Sequence, residues 1–211
     1  MNVLAICGSL RAASINAALL RAAARLSPPE MQVRPLSGIG ELPLFNPDLE
    51  HHRPVPVAAY QAEVARADAL LIASPEYAHG VTGTIKNALD WLVSFEPFVD
   101  KPMVVLNASP RAHHADAALR ETLKTMSAVV VEQASITVPL LGAHLTEDGM
   151  VEDPTISRAI RGALEALYSF VVLRKHEHCP PAVIDTVGCQ EAIAGGIAIG
   201  APTGTFAKSI S

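Results

Sequence analysis

A doubly wound α/β architecture, with five parallel strands and helices on both faces of the sheet, follows from two features of the chain. Five short apolar runs alternate with longer segments of helical period, the pattern of repeated βαβ units. Half of the 211 residues are apolar and 18% are charged, a balance that builds a packed core and excludes intrinsic disorder.

The run 2–7 (Asn2 to Cys7) reads as a buried strand, followed by a Gly-Ser turn and an Ala/Leu-rich helix over 14–26 that Pro28-Pro29 stops. Residues 31–36 alternate Met31 and Val33 with Gln32 and Arg34, as a half-exposed edge strand does. A Pro- and Gly-rich loop occupies 37–56. A helix over 57–67 then lines up Val57, Tyr60, Val64 and Ala67, and 68–74 is a buried strand. The next helix, 83–94, spaces Ile85, Ala88, Leu89 and Leu92 on one face. Residues 101–108 give a fourth strand, 114–126 a helix and 128–138 a fifth strand. Asp153-Pro154 caps and starts a last helix with the stripe Ile156, Ile160, Ala163, Leu167 and Val171. Residues 1–177 are expected to form one domain. The Gly/Ala-rich tail 178–211 has no assigned role and is expected to be poorly ordered.

Sixteen basic against 21 acidic side chains leave a net charge of −5, which argues against a nucleic-acid partner. The opening residues lack a basic n-region, and the uncharged stretch 192–207 is shorter than the roughly 20 apolar residues of a bilayer span. Three irregularly spaced cysteines suggest no disulfide framework, so a cytoplasmic location is expected. No metal site is expected. His113-His114 are adjacent loop residues, and the run 176–179 lacks the further spaced ligands of a tetrahedral site.

In a parallel sheet of this kind, ligands bind beyond the carboxyl ends of the strands, where strand order reverses. Attention therefore falls on the loops after Cys7, Ser74 and Asn107. The first runs Gly8-Ser9-Leu10-Arg11-Ala12-Ala13-Ser14-Ile15-Asn16 into a helix N-terminus, which attracts anions. Ser9 and Ser14 add hydroxyls, Arg11 a forked cation and Asn16 an amide. The loop lacks GxGxxG spacing and a G-K-[ST] ending, so the implied ligand is a phosphate but neither a Rossmann pyrophosphate nor a Walker-type triphosphate. Taken alone, Ser14 reads equally well as a plain helix cap.

The loop after the third strand runs Ser74-Pro75-Glu76-Tyr77-Ala78-His79-Gly80-Val81-Thr82-Gly83 and leads into Thr84-Ile85-Lys86-Asn87-Ala88-Leu89-Asp90-Trp91. Together the two loops resemble the NADPH-dependent FMN reductase family, flavodoxin-like proteins that include quinone, azo-dye and chromate reductases. That family's pattern is G-S-x-R-x-x-S-x-N in the first loop and approximately P-E-Y-N-x-S-x-P-G-x-L-K-N-A-[IL]-D-W in the second. Residues 42–50 (Leu-Pro-Leu-Phe-Asn-Pro-Asp-Leu-Glu) also resemble the family, and the likeness spans about 1–175. The chain departs from the pattern at Ala78 for Asn, Gly80 for Ser and Thr82 for Pro.

The resemblance implies FMN as cofactor and NADPH or NADH as electron donor. The acceptor it implies is a small molecule: a quinone, azo compound, metal oxyanion or flavin. It places Ser9, Arg11, Ser14, Ile15 and Asn16 at the cofactor's phosphate end. Pro75, Glu76 and Tyr77 would approach the ring, with backbone groups of Ala78, His79 and Gly80 beside them. By position, Ser109 and Arg111 in the loop after the fourth strand join the pyrimidine side or help admit the donor. No dedicated acid or base is required, since the cofactor carries the chemistry. A homodimer or homotetramer is implied as well. The alternative is a flavodoxin-type electron carrier that serves a protein partner.

Overall fold

The computed structural model describes residues 1–140 and 145–177. The tail 178–211 lies outside the described residues, as does the end of the 176–179 run. Five strands, β1 (Asn2–Cys7), β2 (Gln32–Pro35), β3 (Ala69–Ala73), β4 (Pro102–Val105) and β5 (Val129–Val130), form one sheet of order β2-β1-β3-β4-β5. Every pair is parallel, with Leu4 opposite Arg34 on one side and Leu70 on the other. The order reverses at β1, whose neighbours β2 and β3 lie on opposite sides, so a crevice opens beyond the carboxyl ends of β1 and β3.

The strand pleat sorts the core into two layers. Val3, Ala5, Ala69, Leu71 and Val104 point to one face, and Leu4, Ile6, Leu70, Ile72 and Met103 to the other. The first layer is covered by α1 (Ile15–Leu26) and α6 (Pro154–Glu177), through Leu19, Leu20, Ala23, Ile160, Leu164 and Leu167. The second is covered by α2 (Val55–Arg66), α3 (Gly83–Asp90) and α4 (His113–Thr125), through Val57, Val64, Ile85, Leu89, Leu119 and Leu123. Both faces are closed, which is why the strands read as continuous apolar runs.

Several boundaries differ from expectation, each for a local reason. The fifth strand ends at Val130 because the chain turns at 132–134. There Ser135 Oγ accepts from Val105 N–H at 3.1 Å and donates to the Val131 carbonyl, replacing a rung of the ladder. Pairing resumes in the bridge between Asn107 and Thr137. Helix α2 begins two residues early, at Val55, because Pro56 in its first turn has no N–H to leave unpaired. Turns of 3₁₀ helix at Ile39–Glu41 and Pro47–His52 occupy the expected loop. Helix α3 stops at Asp90, and the backbone continues through turns to Ser94. A short α5 (Glu147–Glu152) was not foreseen. As expected, Asp153 caps α6, its Oδ1 accepting from Thr155 and Ile156 N–H at 2.8 and 2.9 Å.

Candidate functional site

The loop after β1 is held on both flanks. Gly8 donates to the Ala73 carbonyl at 2.8 Å, and a Cβ at this position would lie 2.2 Å from Ser74 Oγ and 2.6 Å from Ile85 Cγ1. Only glycine permits that approach. Ser14 caps α1, accepting from Ala17 N–H at 3.2 Å, while the N–H groups of Ile15 and Asn16 face out of the helix start. Ser9 Oγ accepts from Arg11 N–H at 3.4 Å and shapes the loop so that the exposed Arg11 side chain borders the opening.

The loop after β3 contains a strained turn. Tyr77 and Gly80 exchange backbone hydrogen bonds of 3.2 and 3.0 Å, and the two residues between them, Ala78 and His79, have φ of 50° and 61°. Two consecutive left-handed residues make a type I′ turn, which normally calls for Asn or Gly. Glu76 supports it from inside. Its Oε2 accepts from the Ala115 N–H of α4 at 2.8 Å, and its Oε1 lies 3.2 Å from His79 Nδ1. The Ala115 hydrogen bond, with His114 and His79 nearby, holds the Glu76 carboxyl below the usual range. Glu76 therefore supplies the cap that Ala112, at the start of α4, lacks. Thr82 caps α3 through Ile85 N–H at 3.3 Å and donates to the Gly8 carbonyl at 2.8 Å, roles the family's proline could not fill.

The loop after β4 is organised by the buried Asn107. Its Nδ2 donates to the Ala112 carbonyl at 3.2 Å and its Oδ1 accepts from Ser109 N–H at 3.0 Å. Ser109 Oγ accepts from Arg111 N–H at 3.2 Å, repeating the Ser9–Arg11 arrangement. The site thus carries two Ser-x-Arg turns. Neither arginine has an acidic partner among the described residues.

The three loops enclose a cleft of about 310 Å³. Ser9, Arg11, Ser14, Ile15 and Asn16 line it on one side, Pro75, Glu76 and Tyr77 on another, and Ser109 and Arg111 on a third. Ala78, His79 and Gly80 form the turn at its edge and do not line it. Ser74, Asn107, Ala108 and Ala112 also line it. Of these, Asn107 was legible only as the end of a strand. Its part in the loop depends on hydrogen bonds that no motif spells out. Asn87 and Trp91 serve the scaffold, Asn87 Oδ1 accepting from Phe45 N–H at 2.8 Å and Trp91 Nε1 donating to the Pro43 carbonyl at 2.8 Å.

The donor set suits a phosphate ester carrying hydroxyls and a ring. A helix N-terminus and two unpaired guanidinium groups match a dianion. The buried Asn16 Oδ1 has no partner. A buried acceptor left unpaired costs about 1–3 kcal/mol, and a ligand hydroxyl, absent from a bare phosphate, would remove that cost. Among the described residues no group of three His, Cys, Asp or Glu side chains is placed to hold a metal ion.

Known proteins match this arrangement. The chain is 33% identical over 177 residues to an NAD(P)H-dependent FMN reductase of Pseudomonas aeruginosa, covering 81% of this chain and 95% of that one. It is 33% identical over 113 residues to a quinone reductase of Escherichia coli, covering 52% of this chain and 60% of that protein. The solved structure of FerB, a flavoenzyme NAD(P)H:(acceptor) oxidoreductase from Paracoccus denitrificans, superposes with a TM-score of 0.70 at 27% identity, covering 82% of this chain and 97% of that one. Residues 1–140 match the sequence model of the NADPH-dependent FMN reductases, and the chain belongs to that family.

Proposed function

We propose that the cleft binds FMN and that the protein is an NAD(P)H-dependent oxidoreductase passing electrons to a small-molecule acceptor, of the quinone, azo, metal-oxyanion or flavin class. One observation carries this reading. Two Ser-x-Arg turns, at Arg11 and Arg111, face one cleft at the start of α1, with no acidic side chain among the described residues neutralising either.

Arg11, the Ser9 and Ser14 hydroxyls and the N–H groups of Ile15 and Asn16 bind the phosphate, and the Asn16 amide takes a ribityl hydroxyl. The backbone from Pro75 to Tyr77 would read the ring edge, with the 78–80 turn beside it, and Ser109 would hold the opposite rim. Arg111 places positive charge where negative charge develops on the reduced ring. Tyr77, 55% exposed at the rim, shields one side of the opening. FMN held there would supply the hydride and electron-transfer chemistry between nicotinamide and acceptor. The protein's own work is to hold the two reactants in register, a contribution of position and electrostatics.

No helix among the described residues is long and apolar enough to cross a membrane, in keeping with a cytoplasmic enzyme. Exposed Leu44 and Val93 offer apolar surface for a homodimer or homotetramer. Residues 1–177 serve as the catalytic domain. Steady NAD(P)H oxidation by the FMN-loaded protein, accelerated by an added quinone, tests the reading. A protein that takes up FMN but oxidises neither nucleotide would contradict it.

A further inference from the structure

Three imidazoles gather beside the cleft, following its lining residues Tyr77, Arg111 and Ala112 in the chain. His79 occupies the second left-handed position of the 77–80 turn, and His113 and His114 open α4. The His79 and His114 rings meet edge to face with centroids 4.4 Å apart, and His113 lies 4.1 Å from His114. Arg111 stands two residues before His113 with no acidic partner.

The charged groups facing this rim come from the 75–80 loop, from α4 and from the loop after β1. From the 75–80 loop it faces Glu76 and Tyr77, and Glu76 is already engaged, Oε2 by Ala115 N–H and Oε1 by His79. On α4 the nearest acid is Asp116, which is paired with Arg120 at 2.8 Å. Arg11 closes the other side of the cleft and is also unpaired. The α4 N-terminus adds the positive end of its dipole.

His79 is held at positive φ, a backbone conformation strained for any residue but glycine. The Glu76 contact and the ring contact oppose that strain. Both histidines of α4 are solvent-exposed, so their nitrogens can receive a ligand. His79 falls at an unspecified position of the second family motif, and His113 and His114 lie outside both motifs.

We propose that Arg111, His113 and His114, steadied by His79, form an anion-selecting rim that docks a phosphate or sulfonate group on the molecule that visits the cleft after FMN. The inference rests on the reading that FMN fills the cleft. The anion has two possible sources: the 2′-phosphate that distinguishes NADPH from NADH, or an anionic group on the acceptor. Histidine gains charge across pH 5–8, so docking strengthens as pH falls.

The test compares the full-length wild type with a His113→Gln/His114→Gln double variant and a His113→Arg/His114→Arg double variant. FMN affinity should be the same in all three. In the glutamine variant, KM for the member of a pair that carries the extra anionic group rises about threefold to tenfold near pH 6, with kcat unchanged and the member lacking that group unaffected. The pairs are NADPH against NADH, and a sulfonated against an unsulfonated quinone. A shift in the first pair identifies the donor as the source, and a shift in the second identifies the acceptor. The arginine variant keeps the preference for the anion and loses its pH dependence.

Histidine side-chain NMR of the wild type gives a second readout, independent of turnover. Adenosine 2′,5′-bisphosphate or a sulfonated quinone should move the His113 and His114 resonances. If neither pair shifts and neither probe moves those resonances while FMN still binds, the rim inference is overturned and the FMN reading stands. If the wild type takes up no FMN, the FMN reading fails, and unmoved resonances then overturn the rim inference as well.

Discussion

Thr82 Oγ1 donates a 2.8 Å hydrogen bond to the carbonyl of Gly8, joining loops that lie 74 residues apart in the chain. The bond is buried, and it sits where a Cβ on Gly8 would strike Ser74 and Ile85. The close approach of the β1 and β3 loops fixes where the 8–14 turn lies relative to the 77–80 turn. A ligand that spans both loops requires that spacing.

Gly8→Ala is therefore expected to destabilise the protein by about 1–3 kcal/mol through forced repacking. Thr82→Val, which keeps the shape but loses the cap and the tie, is expected to cost about 1–2 kcal/mol. Urea denaturation checks both. A Gly8→Ala protein as stable as wild type would show that the two loops do not meet as described.

The type I′ turn at Ala78 and His79 stores strain that a residue tolerant of positive φ would release. Ala78→Asn should raise stability by about 0.5–1 kcal/mol. The same logic applies at the end of α4. There Ser127 sits at φ 62°, and Ala128 N–H bonds back to Leu123 O at 3.0 Å, a Schellman ending that favours glycine. Ser127→Gly should gain a similar amount, and the double variant should be additive. Denaturation midpoints that fall in either single variant would contradict the left-handed geometry.

Glu76 links turn to helix, and its carboxyl is held below the usual range by the Ala115 N–H, with His114 and His79 contributing. A lowered folded value means that this stabilisation is complete above the ordinary carboxylate range and is lost as pH falls through the folded value. Glu76→Gln should lower Tm by roughly a few degrees near neutral pH. The gap from wild type should close in acid, as pH falls through the lowered folded value and the carboxylate is protonated. Thermal melts across that range measure it; a gap that widens in acid would assign Glu76 another role.

Much of this architecture could be read before any coordinates, and the exceptions have physical causes. Ser14, Asp153 and Pro154 mark helix starts because capping is local chemistry. The two-layer core was readable because strand and helix periods are local too. The fifth strand was overdrawn because the side chain of Ser135 replaces a backbone rung, which no period reveals. Ten of the thirteen expected site residues line the cleft, since motif and strand ends pointed to the same loops. The roles of Glu76 and of the His79–His114 contact were not legible, because their partners come from another element, 39 and 35 residues away.

The phosphate assignment at Arg11 admits the most direct measurement: dissociation constants for FMN and for riboflavin, read by flavin fluorescence in wild type and Arg11→Ala. FMN should bind wild type far more tightly than riboflavin does. Arg11→Ala should lose about tenfold to a hundredfold of the FMN affinity, with riboflavin affinity unchanged and the fold intact. Equal affinity of wild type for the two flavins, or an Arg11→Ala protein that binds FMN as tightly as before, would contradict the account.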